Sequence, residues 1–349
     1  MKLGKDMEKI DFVVTWVDGS DREWLAQKRK YLDAASSTSS SLAGGEANAD
    51  CRYRDCGFLK YWFRAVEKFA PWVNRVFFVT CGQKPEWLDV SNPKLRSVNH
   101  VDYIPPEYLP TFHSDTIELN LHRIPDLSEH FVLFNDDMFL LRPSTPDQFF
   151  RNGLPVLACD LGIPRWLGCS TASRIVVNNG GVLARSMDVV SLIRRNLMKF
   201  VDVRELGLSR AAKNLASFAV NRMFIPGTFG HLPLPHLKST FDEIWRAQPG
   251  IMDKTSRSRF RINDGVSHWL ASAWNMAKGD FFPLNEKRRG ETVLLDDSNL
   301  ERVCRLISSQ AHPQICINDS ERIADPEGCF KRIAAAFESI LPEKSSFEK

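Results

Sequence analysis

The sequence predicts an α/β protein, Rossmann-like, with a mixed sheet flanked by helices and a helical C-terminal part. Three observations carry this. Val76–Thr80 (VFFVT) is apolar up to Thr80 and Phe131–Phe134 (FVLF) is a short, wholly apolar run, as strands buried on both faces require. A segment with helical spacing, Gly57–Phe69, precedes the first of these runs, and a strand opens the chain before it, so the unit reads βαβ. The predicted strands also end in turns rich in Asp, Asn and Gly, where open α/β sheets bind ligands.

Ile10 to Val17 is the opening strand, closed by Asp18-Gly19-Ser20-Asp21, and Arg22–Leu32 is helical. Ala34–Asp50 is Ser/Ala/Gly-rich with almost no large apolar group, so it reads as a flexible insert. The 57–69 helix stops before Pro71, which cannot continue it. Leu95–Val98 reads as a short strand. Ser114 is placed to cap a helix over Thr116–His122, and in such a helix Glu118 and His122, four apart, share a face. The chain then enters Phe131–Phe134 and meets Asn135-Asp136-Asp137 before Met138–Leu141 turns apolar again. Paired carboxylates between apolar flanks at a strand end suit a divalent cation on a phosphate; the bland alternative is a polar turn.

Farther on, Leu154–Cys159 reads as a strand, Asn178–Gly181 as a turn, and Val189–Phe200 and Ser209–Phe218 as helices. His231-Leu-Pro-Leu-Pro-His236-Leu-Lys238 is stiffened by its prolines into extended chain, a suitable mount for an acid or base at His231. Ser239 then caps Thr240–Ala247. Lys254–Arg261 (KTSRSRFR) is a basic cluster suited to a phosphate, and it precedes a helix bearing Trp269 and Trp274. A boundary near 290 separates a catalytic domain, 1–290, from a C-terminal extension, 291–349, with short strands and a helix over Arg332–Ile340.

Composition narrows the function. The chain has 349 residues, 43% hydrophobic and 26% charged, which suits a globular enzyme. A net charge of +3 is too small to argue for nucleic acid, and the local basic clusters suit an anionic small ligand or a membrane surface. No run reaches the roughly twenty apolar residues of a membrane span. The N-terminus lacks the features of a signal peptide, and the eight cysteines show no CxxC pair, so reduced thiols in a cytoplasmic protein are expected.

The stretches 10–21, 52–88, 109–124 and 131–139 resemble the first two characteristic blocks of the Stealth family of hexose-1-phosphate transferases, and 231–238 and 254–261 resemble its two later blocks. The resemblance implies a glycosyltransferase-A-like fold, a UDP-sugar donor (hexose or N-acetylhexosamine), a polysaccharide or glycan hydroxyl as acceptor, and release of UMP. It also implies a divalent cation, Mg2+ or Mn2+, on the pyrophosphate. The missing signal peptide and membrane span put the expected place of work in the cytoplasm or at the inner face of the membrane. By motif, Asp136 and Asp137 match the family's acidic pair, Glu118 its helix carboxylate, His231 its essential His and Arg261 its essential Arg. Lys60 stands where many members have Arg, and Cys56 and Cys81 where Asn is common. The expected arrangement has the metal on Asp137 and Glu118, Arg261 across from it, and His231 or Asp136 as base. Asp18, Gly19, Lys60, Asn135 and Lys238 are expected to touch substrate. A metal-dependent glycosyltransferase releasing UDP and a non-catalytic carbohydrate-binding protein are the rivals.

Overall fold

Phe12, Val14, Phe78, Val132 and Phe134 pack into one core layer, and Val13, Phe77, Val79, Phe131 and Leu133 into another. This alternation within continuous apolar runs marks central strands covered on both faces. A computed structural model of the chain describes residues 8–36, 49–161, 171–221 and 230–349. Its main sheet has five strands: β1 (Ile10–Thr15), β2 (Val76–Thr80), β3 (Leu95–Asn99), β4 (His130–Asn135) and β8 (Leu234–Leu237), in the order β3-β2-β1-β4-β8. The first four run parallel, while β8 pairs antiparallel to β4 at the edge. Prolines at 233 and 235 are tolerated there because an edge strand needs fewer ladder donors.

On one face lies the Leu59–Phe69 helix. Its Trp62 and Phe63 meet Phe134 and Phe78 edge-on at 5.4 and 6.0 Å. Truncating Phe134 there to Ala is expected to cost roughly 3–5 kcal/mol. The other face is covered by the helices Lys238–Ala247 and Trp269–Lys278.

Two small sheets complete the fold. β10 (Gly290–Leu294) and β11 (Gln314–Asn318) join β5 (Met138–Leu140), and β6 (Phe150–Arg151) and β9 (Phe282–Leu284) flank β7 (Leu154–Ala158). Because β11 pairs with β5, residues beyond 290 build onto the strand that leaves the acidic turn. Their helix Pro326–Ile340 puts Phe337 against Phe139, with ring centroids 4.6 Å apart.

Several local readings change. Asn178–Gly181 lies inside a helix, Thr171–Ser186, rather than in a turn, because Asn178 and Asn179 bond across to the 263–267 segment instead of turning the chain. The helix expected over 116–122 is Ser114–Leu119 followed by a 3-10 turn, Leu121–Arg123. His113, not Ser114, is its N-cap. The break at Asn120 removes the four-residue spacing. His122 stacks on Phe241 at 5.9 Å, while Glu118 lines the pocket at the strand ends. Of the 34–50 insert, Ala34–Ser36 extend the first helix and Asp50 opens a 3-10 turn, while 37–48 lie outside the described residues.

Candidate active site

The order β3-β2-β1-β4 reverses direction between β1 and β4, and there a pocket of about 190 Å³ opens at the strands' carboxyl ends. Thr15, Trp16 and Val17 from β1 and Asn135, Asp136 and Asp137 from β4 line it.

The β4–β8 register explains how one motif delivers His231 and withholds Lys238. Leu133 faces Leu234 and His130 faces Leu237 in antiparallel pairing. Running the register forward brings His231 beside the Asn135–Asp136 turn. There Asn135 Nδ2 donates to His231 Nε2 at 3.3 Å, and that same nitrogen lies 3.6 Å from Asp137 Oδ2. Lys238 is about 23 Å farther along at strand rise. Its ammonium donates to the Ile124, Pro125 and Leu127 carbonyls at the opposite end of the sheet. Lys238 is therefore structural and does not reach the pocket.

Burial lifts the Asp136 carboxyl well above its usual range, and the neighbouring charges of Asp137 and Asp55 add to the effect. Asp137 keeps Oδ1 buried with no hydrogen-bond partner, and its carbonyl accepts from Ile317 of the C-terminal part. Asp137, His231 and Cys316 are the one donor group among the described residues brought within 4.8 Å of one another. The Cys316 thiol is fully buried and pushed up in pKa by that burial and by Asp137, which keeps it protonated. Glu118, expected to share the metal with Asp137, is not among these three donors. It lines the same pocket from the helical wall, 3.7 Å from His268 Nε2. Burial, and next the charge of Asp115, raise it to about 8 despite Arg261, so it is largely protonated at neutral pH.

Arg261 reaches the pocket from the end of the basic cluster and donates to Ser114 Oγ at 3.0 Å. Phe260 stacks on Phe112 at 5.3 Å and Phe112 N bonds the Arg259 carbonyl, which fixes this segment against the 109–118 stretch. Lys60 is absent from the pocket. Leu59 lines it, and one helical step turns Lys60 away, with its ammonium 5.0 Å from the Tyr61 ring. Asp18 spends Oδ1 on Ser20 N and Oγ at 2.8 and 2.6 Å and, with Gly19, borders a side cleft. A Cβ at Gly19 would lie 1.9 Å from the Tyr53 carbonyl, so glycine is required for the 50s segment to close over the site.

That segment carries residues the motif assignment passed over. Arg52, Arg54 and Asp55 line the pocket, and Arg54 pairs with Asp319 at 3.3 Å. An R-x-R-D run just before a helix was a visible signal. Cys316 and Asp319 had none, since only the β11–β5 pairing brings them here.

The described cysteines are all free thiols, and among the described residues no helix is long and apolar enough to cross a membrane.

Comparison with known proteins agrees with the first two blocks. Residues 8–35 match Stealth protein CR1, conserved region 1, and 52–156 match Stealth protein CR2, conserved region 2. The receptor polysaccharide phosphotransferase WefC of Streptococcus oralis is 40% identical over 351 residues, 98% of this chain and 100% of its own. The chain belongs to the Stealth family. The capsular polysaccharide phosphotransferase WcwK of Streptococcus pneumoniae is 40% identical to this Stealth protein, over 98% of this chain and 100% of its own. The exopolysaccharide phosphotransferase cps2G of Lactiplantibacillus plantarum is 35% identical, over 97% and 96%. A solved galactosyltransferase, LgtC, has a TM-score of 0.42 and 12% identity over 96% of this chain and 98% of its own, a likeness too weak to speak to the reaction.

Proposed function

We propose that this Stealth protein moves a sugar-1-phosphate from a UDP-sugar to a hydroxyl of a growing cell-surface polysaccharide, releasing UMP and leaving a phosphodiester. The observation that carries the reading is the Asp137–His231 pair, 3.6 Å apart, in one pocket with Arg261 at the β1/β4 switch point. Such a layout offers a base, a cation and paired carboxylates around a single site. Near-full-length identity to enzymes named polysaccharide phosphotransferases supports it.

Phosphoryl transfer is catalysed mainly by positioning and by offsetting charge on non-bridging oxygens. In this reading the acceptor oxygen attacks the sugar-side phosphorus and the bond to the UMP oxygen breaks. His231 Nε2, held beside Asn135, takes the hydroxyl proton, with the half-buried Asp136 as the other candidate. Arg261, with Arg52 and Arg54, offsets the phosphate charge.

The residues present fit a hard divalent cation. Asp137 Oδ1 is buried and unpartnered, and two adjacent carboxylates repel each other without an added positive charge. Asp137 would hold Mg2+ or Mn2+ with Asp136 beside it, and a soft, protonated Cys316 thiol suits neither. When bound, the cation neutralises pyrophosphate oxygens. A reaction fed by UDP-sugar is placed in the cytoplasm or at the inner membrane face.

Released nucleotide is the test. With a UDP-hexose or UDP-N-acetylhexosamine and polysaccharide acceptor, UMP is the expected product, and stoichiometric UDP would instead mark a glycosyltransferase.

A further inference from the structure

The pocket between the carboxylates and Arg261 is too small for a whole nucleotide-sugar. It holds about 190 Å³, whereas sites that bury ligands of that size run to roughly 300–1,000 Å³. A second cavity of about 680 Å³ adjoins it, and Trp24, Cys81, His100 and Thr111 border both. The second cavity lies at the ends of β2 and β3, through Cys81, Gly82, Asn99 and His100. In open α/β sheets phosphates sit at the switch point, and the nucleoside extends along the neighbouring strand ends.

His100 is the unusual member of the shared wall. It is 7% exposed, yet its ring makes no hydrogen bond among the described residues and only an edge-on contact with Tyr103 at 6.5 Å. Burial alone lowers its pKa to about 4, so at neutral pH the ring is uncharged, with one donor and one acceptor. A buried polar ring without a partner costs stability. A ligand that supplies both a donor and an acceptor would offset that cost. A phosphate supplies acceptors only, whereas the edge of a pyrimidine base supplies both. The arginines at the phosphate end, Arg52, Arg54 and Arg261, border the first pocket and not the second.

We propose that the cavity walled by His100 is the nucleoside subsite of the donor, with the His100 imidazole hydrogen-bonded to the edge of the base. The inference rests on the nucleotide-sugar reading above and adds where the nucleoside sits and which residue holds it. The rival occupant is the acceptor glycan.

The test uses the full chain with UMP and glucose 1-phosphate as separate probes. His100→Phe keeps a ring of similar size and removes both nitrogens; His100→Asn keeps a donor and an acceptor. UMP affinity and the donor KM are expected to worsen about tenfold in His100→Phe, the worth of one or two hydrogen bonds. Glucose 1-phosphate binding should stay unchanged, kcat should stay within a few-fold, and His100→Asn should recover part of the loss. In the unmodified protein, the His100 ring nitrogen resonances should shift on adding UMP and not on adding glucose 1-phosphate, a readout that needs no variant to fold. Unchanged UMP binding in His100→Phe, or silent His100 resonances while UMP binds, overturns the proposal. A rise confined to the acceptor KM assigns the cavity to the glycan and overturns it equally. A wild-type protein that binds neither UMP nor UDP removes the donor reading first, and this subsite with it.

Discussion

Two carboxylate pairs stand at the site, one of them reaching its lining through Glu118 alone, and their surroundings treat them in opposite ways. Asp115 and Glu118, one helical turn apart, are served by the protein itself. Burial would raise Asp115, but the hydrogen bond from His113 at 3.0 Å, the His113 charge and Arg261 hold its pKa below the usual carboxylate range. Glu118, with His268 Nε2 at 3.7 Å but no hydrogen bond of that kind, is raised to about 8 by burial and by the Asp115 charge. The helical pair thus settles as one charged and one neutral group. At the end of β4 burial raises Asp136 well above its usual range, Asp137 and Asp55 push the same way, and no positive side chain counters it. The Asp137 Oδ1 orphan sits beside it. A pair already compensated needs nothing from outside, whereas an uncompensated pair calls for a cation. This difference favours Asp136–Asp137 over Glu118 as the metal seat.

The sharpest way to break the comparison is Asp137→Asn. It is expected to abolish Mn2+ binding, read by calorimetry, and to lower turnover by roughly a thousand-fold, at the upper end for one essential electrostatic group. Retained Mn2+ affinity in that variant would move the seat elsewhere.

His231→Ala comes next, with a loss on the order of a hundred- to ten-thousand-fold. A base must be unprotonated, so activity falls as pH drops, and the variant should lose that acidic limb. If the limb persists, the base is Asp136, whose raised carboxyl titrates in the same sense.

Arg261→Ala should cost about a hundred- to a thousand-fold, with Lys recovering part. It should also raise the Asp115 and Glu118 pKa values, since Arg261 lowers both.

The smallest effect is expected from Glu118→Gln. Glutamine mimics the protonated acid, so turnover at pH 7 should fall less than about tenfold, and Mn2+ affinity should stay unchanged; a large loss of metal affinity would reinstate Glu118 as a ligand. The folded-state pKa of Glu118 lies above its ordinary 4.5, so the folded protein binds the extra proton and stability declines as pH rises from 4.5 toward about 8. Glu118→Gln should flatten that decline in denaturant melts.

How much of this was legible beforehand differs by element. β1, β2 and β4 announced themselves because strands buried on two faces must be apolar throughout, and the acidic turn was conspicuous against them. Residue types and local order thus determined the sheet's parallel centre, the position of Asn135-Asp136-Asp137, and His231 and Arg261 as candidates. They did not determine which charged residues reach the pocket. Lys60 and Lys238 do not line it, because reach depends on a helical step and on an antiparallel register, both relations to a neighbouring element. Cys316 and Asp319 were silent for the same reason, since β11 meets β5 across 170-odd residues of chain. Glu118 was found as a pocket carboxylate, but not its raised pKa, because a carboxylate's protonation and company are set by burial and nearby charge. Those quantities exist only once the chain has closed around it.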